Sequence, residues 1–354
     1  MMTPRTGQFA ALELFADLLE APSPSGREEG VAHIVRAKLT ELGYAHETDG
    51  AGNVVVRLPG REQSAKPCCF AAHMDEIGLV ITGVQSDGSL SVSRSGGLFP
   101  WKIGECPVQI VGDGQPIIGI LSMGSGHTPE AGTPIAKWDQ LRILTGLSYE
   151  QVRAAGVREG SSAVPIRDVR GPVVFGDSSD PMVAAWTFDD RMGIVALLRM
   201  LDEIKRRQIV PHTSTIVAFT VHEEGGGHGA KVLAHREGPE VFVAVDGCPT
   251  LPGSQLTLDG RPAIWSMDQV GHYDQRLIGA FRKAAERIGV DLQVAVYEAT
   301  ASDAGLVYAS GGAPRVACLG HVRDNSHGYE VARVSVFDRL MDTLVSFVDG
   351  WDGE

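Results

Sequence analysis

The chain has 354 residues, 43% of them apolar and 21% charged, and carries 44 acidic against 31 basic side chains for a net charge of −13. That length accommodates one large domain and a smaller one, with the composition of an ordinary globular protein. The acidic balance argues against nucleic acid or anionic membrane as a partner, and no apolar run approaches the roughly 20 residues of a membrane span.

Gln8 to Leu19 carries apolar residues at helical spacing, followed by a break at Ala21-Pro22-Ser23-Pro24-Ser25-Gly26. Ser25 with Glu28 reads as a capping box ahead of a helix whose face holds Val31, Ile34, Val35, Leu39 and Leu42. Strands are expected at Asn53 to Leu58 and Cys68 to Ala72, the second ending on His73-Met74-Asp75. From Gly78 to Asp180 the texture changes to short β-like runs, Leu79 to Val84, Leu90 to Ser93, Val108 to Val111 and Ile117 to Leu121, with one helix near Ser148 to Ala155. This pattern predicts a small β-rich domain (78–180) inserted into an α/β domain formed by 1–77 and 181–354.

The α/β rhythm resumes after Trp186-Thr187-Phe188-Asp189-Asp190-Arg191. Met192 to Lys205 reads as a helix, Thr213 to Phe219 as a buried strand, and a short helix runs through His235. Glu240 to Val245 is a strand ending on Asp246; Gln275 to Ile288 is helical, Leu292 to Val296 a strand, Ala304 to Ala309 helical, Arg315 to Leu319 a strand and Val334 to Val348 the last helix.

The stretch after Phe219, Thr220-Val221-His222-Glu223-Glu224-Gly225-Gly226-Gly227-His228, places two carboxylates where a core strand breaks into glycines. Neighbouring strand residues point to opposite faces, so both glutamates serve one site only if the backbone distorts, which glycine permits. A zinc helix of the HExxH kind is excluded, because position 226 is glycine rather than histidine. A phosphate loop is excluded too, since no Gly-Lys-Ser/Thr follows.

Ligands bind at the carboxyl ends of strands in α/β sheets. At those ends lie His73 and Asp75, Glu223 and Glu224, Asp246 and, beyond the Arg315 strand, His327; Asp189 joins them from the loop re-entering the large domain. Singly, each has a plainer role: a satisfied His-x-Asp pair, an Asp at a helix N-cap, a turn cap, a solvated loop histidine. Together they supply the mixed N/O donors that zinc or cobalt accepts. Two cations need a bridging carboxylate, and a water held between them loses its proton readily to an unliganded glutamate.

The five cysteines (Cys68, Cys69, Cys106, Cys248, Cys318) are odd in number and form no C-x-x-C pair, so neither disulfides nor a thiolate zinc site is indicated. With an N-terminus that lacks an apolar signal-peptide region, the expected compartment is the cytoplasm.

Ser23-Pro24-Ser25-Gly26-Arg27-Glu28-Glu29, Asp49-Gly50-Ala51-Gly52-Asn53, Ala72-His73-Met74-Asp75-Glu76-Ile77-Gly78, Phe188-Asp189-Asp190-Arg191-Met192-Gly193 and His222-Glu223-Glu224 follow one another in an order and spacing that resemble the M42 metallo-aminopeptidases. Val245-Asp246, Thr300-Ala301-Ser302-Asp303-Ala304-Gly305 and Ser326-His327-Gly328-Tyr329-Glu330 extend the resemblance over nearly the whole chain. It implies a di-zinc exopeptidase fold, α/β with a mixed central sheet flanked by helices and an inserted small β-barrel-like domain. It further implies that His73, Asp189 and Asp246 hold one metal and Asp189, Glu224 and His327 the other, with Asp189 bridging. Glu223 is then the general base and Asp75 orients His73. The implied cofactors are two divalent ions, zinc or cobalt. The implied substrates are peptides, and the inserted domain mediates homo-oligomer assembly, in the family commonly a tetrahedral dodecamer.

The chain departs from the family's usual pattern at Gly225-Gly226 and His228, in Arg323-Asp324-Asn325-Ser326 ahead of His327, and around Trp101 and His127-Thr128-Pro129. Alternatives are a related di-metal deacylase or carboxypeptidase, and a catalytically silent scaffold. A glycosidase needs two carboxyls about 5–9.5 Å apart flanking the scissile bond, which Glu223 and Glu224 cannot supply while one of them holds a metal.

Overall fold

A computed structural model describes residues 10–62, 64–124 and 136–353; the His127-Thr128-Pro129 stretch lies outside the described residues. In chain order the first elements are α1 (Ala11–Leu19), α2 (Glu29–Glu41), β1 (His46–Thr48), β2 (Val54–Leu58) and β3 (Cys68–His73). Next come β4 (Gly78–Val84), β5 (Leu90–Ser95), α3 (Pro100–Ile103), β6 (Pro107–Val111), β7 (Ile117–Ser122), β8 (Arg142–Leu144), α4 (Tyr149–Ala154) and β9 (Ser162–Pro165). They are followed by α5 (Arg167–Arg170), β10 (Val173–Phe175), β11 (Met182–Trp186), α6 (Phe188–Arg206), β12 (Thr215–Thr220), α7 (His228–Glu237) and β13 (Val241–Pro249). The last are β14 (Ala263–Met267), α8 (Gln275–Arg287), β15 (Gln293–Val296), α9 (Asp303–Ala309), β16 (Arg315–Arg323), β17 (Tyr329–Arg333) and α10 (Val336–Gly350).

Eight strands make the central sheet in the order β1-β2-β12-β3-β13-β16-β14-β15. Its middle four, β12, β3, β13 and β16, run parallel, and every residue of β3, β12 and β13 is buried. This is why those segments read as continuous apolar runs rather than alternating ones. Helix α6 covers one face, burying Ile194, Leu197, Leu198 and Leu201 among its core side chains. Truncating one such leucine to alanine typically costs about 2–5 kcal/mol.

The short strands expected after residue 78 close into a six-stranded barrel, β4-β5-β8-β7-β6-β9, around its own core that includes Leu79, Ile81, Val92, Val108 and Ile143. Its first and last strands pair with each other, Leu79 opposite Ala163. β10 joins β11 and β17 in a separate three-stranded sheet. None of the described helices is long and apolar enough to cross a membrane.

A buried carboxylate anchors the chain between β3 and β4, where it enters the barrel. Glu76 receives Arg170 Nη2 at 2.6 and 2.7 Å, Trp186 Nε1 at 3.1 Å and the Ser23 backbone N–H at 2.7 Å, with Arg191 Nη2 at 3.4 Å. Two arginines and one glutamate are thus removed from water together, and each depends on the others for compensation.

Three expectations need correction. Ser25 and Glu28 do not form a capping box: Ser25 Oγ donates to Asp75 at 2.6 Å, while Glu28 accepts the N–H groups of Gly26 and His222. Both are drawn to the strand-end cluster, where buried acceptors and donors outweigh an exposed helix start. Strand β13 does not stop before Asp246 but continues to Pro249, and β16 runs to Arg323, because the two remain paired along that length. Helix α6 begins at Phe188 rather than Met192, with its first turn broken by non-helical Asp189 and Asp190.

Candidate metal centre

The glycine loop after β12 resolves the problem of two adjacent glutamates. His222 takes a left-handed φ of 58°, while Gly226 and Gly227 have φ of 106° and 68°, which glycine alone adopts without steric cost. Asn53 pins the loop from below, accepting the Val221 N–H at 3.1 Å and donating to the Gly229 carbonyl at 2.9 Å. Asp75 accepts the N–H groups of Glu223 and Glu224 at 2.9 and 3.1 Å. With the backbone held this way, both glutamate side chains line one cleft.

All the side chains named from the strand-end pattern meet there. His73, Asp189 and Asp246 form one group whose donor atoms lie within 4.8 Å of one another, and Asp189, Glu224 and His327 form a second. Asp189 belongs to both. His73 Nε2 is 3.1 Å from Asp189 Oδ1, and His327 Nε2 is 3.7 Å from both Asp189 Oδ2 and Glu224 Oε1. The other ring nitrogen of His73 faces the Asp75 carbonyl oxygen at 3.1 Å and its carboxylate at 3.5 Å. Each imidazole therefore presents Nε2 to the centre.

Electrostatics show what the cluster lacks. Burial and the neighbouring Asp189 push Asp246 up to about 8, and burial lifts Glu224 to about 7. Glu223 is held well above the usual carboxylate range by burial, opposed by His73 and reinforced by Asp246, Asp303 and Glu224. Asp190, buried behind His73, is likewise pushed up. Crowded acids that resist ionising are short of positive charge, and a divalent cation at each donor group would supply it. The donor chemistry fits: imidazole and carboxylate without thiolate suit zinc, cobalt or manganese. Cys248, two positions after Asp246, is turned to the Ala263 carbonyl and the Trp265 ring N–H, with its thiol raised to about 12 by burial.

Several contributors carried no role in the sequence reading. Glu330 accepts the Asp189 N–H at 2.9 Å and the His327 N–H at 3.0 Å, fixing one backbone relative to the other. Arg323 ion-pairs with Asp189 and lies 3.3 Å from Glu330. Asp303 takes the Thr220 hydroxyl at 2.8 Å under the loop, and burial raises it to about 6. Both Asp303 and Glu330 stood inside recognised motifs, so position was visible but partners were not.

The cleft measures about 670 Å3. Pro249, Leu251, Trp265, Tyr297 and Leu306 line it from the large domain, and Arg94, Phe99, Trp101 and Lys102 from the barrel.

The family model for M42 glutamyl aminopeptidase matches residues 52–342. The chain is 28% identical to the glutamyl aminopeptidase of Lactococcus lactis over 242 residues, 66% of this chain and 65% of that protein. It is 26% identical to a putative aminopeptidase of Acetivibrio thermocellus over 336 residues, 92% of this chain and 94% of that one. The TET1 peptidase of Pyrococcus horikoshii, which can assemble into a tetrahedron or a large octahedral shell, shares the fold at a TM-score of 0.85 and 24% identity, covering 96% of this chain and all of that one.

Proposed function

From the premise that the chain belongs to the M42 glutamyl aminopeptidase family, we propose that it is a metal-dependent aminopeptidase that removes N-terminal residues from peptides. The observation that carries this reading is the pair of overlapping donor groups sharing Asp189 beside Glu223, which belongs to neither. His73, Asp189 and Asp246 would hold one divalent ion and Asp189, Glu224 and His327 the other, zinc or cobalt suiting both. Bound there, such ions acidify water and polarise a peptide carbonyl.

Glu223 does the proton work. It lines the cleft beside both donor groups without belonging to either, the position of a base that accepts a proton from the attacking water and returns it to the departing amine. Asp75 orients both the His73 ring and the Glu223 backbone, keeping base and ligand in register. The apolar wall of Pro249, Leu251 and Leu306 offers contact to a substrate side chain. We further propose that the inserted domain, residues 78–180, mediates assembly into a homo-oligomer such as a tetrahedral dodecamer, and that the protein works in the cytoplasm.

Mass spectrometry of a peptide pool, half with free and half with acetylated N-termini, tests the activity on cobalt- or zinc-loaded protein. Stepwise shortening from free N-termini, abolished by a chelator, is expected. Loss of acyl groups or of C-terminal residues would replace the reading with a deacylase or carboxypeptidase, and bound metal without cleavage would favour a scaffold.

A further inference from the structure

The barrel reaches into the metal centre through the turn between β5 and α3. The Gly97 carbonyl oxygen lies 3.1 Å from His327 Nδ1. The backbone comes this close only because no side chain intervenes: a Cβ on Gly97 would sit 2.5 Å from Nδ1 and 2.6 Å from Cε1 of the ring. A Cβ on Gly96 would stand 2.9 Å from Glu224 Oε2 and 2.8 Å from Ile77 Cγ2, and Gly96 has a left-handed φ of 72°. A few residues on, Lys102 Nζ donates to the Asn325 carbonyl at 3.1 Å, holding the loop that carries His327.

These contacts are selective. Glu224 and His327 both belong to the second donor group, and the close approaches of Gly96 and Gly97 reach neither His73 nor Asp246. A histidine that binds a cation through one nitrogen needs the other nitrogen's proton fixed by an acceptor, and removing that acceptor typically costs 10–100-fold in affinity.

We propose that the Gly96–Gly97 turn of the barrel is a positioning element of the second metal site: the Gly97 carbonyl accepts the Nδ1–H of His327, leaving Nε2 free as ligand, while Gly96 gives Glu224 room to turn inward. This rests on the metal reading above. It assigns the inserted domain a share in building the centre, separate from any role in assembly. One donor group is then completed wholly within the large domain and the other only when the barrel is docked.

The test is calorimetric titration of cobalt into metal-stripped wild type and Gly97→Ala, with thermal unfolding of the stripped proteins alongside. The wild type is expected to show two binding events. Gly97→Ala is expected to keep one unchanged and weaken the other about 10–100-fold. Should Gly97→Ala unfold early, Lys102→Met carries the test, since it cuts the tie to Asn325 from a partly exposed side chain without crowding the ring; selective weakening of the same event by a few-fold is expected. Two wild-type-like events in a folded Gly97→Ala, or in Lys102→Met when it stands in, would overturn the inference while leaving the functional reading intact. Equal weakening of both events would overturn it too. A wild type that binds no metal would sink the functional reading, and this inference with it.

Discussion

The carboxylate of Asp75 lies under the glycine loop and accepts the backbone N–H of Glu223 at 2.9 Å. The same group receives the Glu224 N–H and the Ser25 hydroxyl and faces His73 Nδ1. Burial opposes its charge, yet the His73 ring and these donors hold it below the usual carboxylate range. One fixed anion thereby spaces the proposed base from a proposed ligand.

Replacing Glu223 with glutamine keeps the shape of the cleft but removes the proton acceptor. Turnover of a peptide substrate is expected to fall about 10²–10⁴-fold, with metal content per chain unchanged. A Glu223→Gln variant with wild-type turnover would rule this residue out as the base.

Asp189 is shared by both donor groups, so Asp189→Asn is expected to weaken both binding events, each by roughly 10–100-fold or more. Metal analysis after dialysis distinguishes the cases. Depletion of a single ion would contradict a bridging role.

Glu76→Gln leaves Arg170 and Arg191 buried beside a neutral amide. Breaking such a cluster at one member costs about 3–5 kcal/mol. Urea unfolding of metal-free protein should register a loss of that order; a change under 1 kcal/mol would show that the arginines find other partners.

Asp274 caps α8, accepting the N–H groups of Arg276 and Leu277 at 2.8 Å each, and pairs with Arg315 at 2.9 Å. Burial works against its charge, but these bonds win and lower its pKa. A depressed carboxylate contributes stability that is present above its unfolded pKa, about 3.9, and lost as pH falls through the lower folded value. Asp274→Ala should therefore cost about 1–2 kcal/mol near neutrality. The gap to wild type should close progressively below about pH 4. A gap independent of pH would mean that the charge does not matter.

The sequence carried most of the large sheet because its central strands are buried on both faces and read as unbroken apolar runs. Strand β1, exposed along much of its length, left no such trace, and β14 was hidden between turn-rich segments. The candidate donors could be listed from the sequence because most of them sit at strand ends or glycine breaks, which are local signals. What joins them is not local: Glu330 reaches Asp189 across 141 positions and Gly97 reaches His327 across 230. The Ser25–Glu28 pattern misled for the same reason, since Ser25 finds its partner 50 residues away.

The barrel is spliced between two groups that meet in space. His73 and Asp189 approach to 3.1 Å although 116 positions separate them, and β4 returns to pair with β9 within that interval. A barrel that folded first would reduce the open loop between them to about 30 residues, lowering the entropic cost of closure by about 1 kcal/mol. The ribosome delivers the segments in the same order: His73, then the whole barrel, then Asp189. A closed barrel would thus act as a clasp on this detour, holding the chain on either side of it near the point where His73 and Asp189 meet.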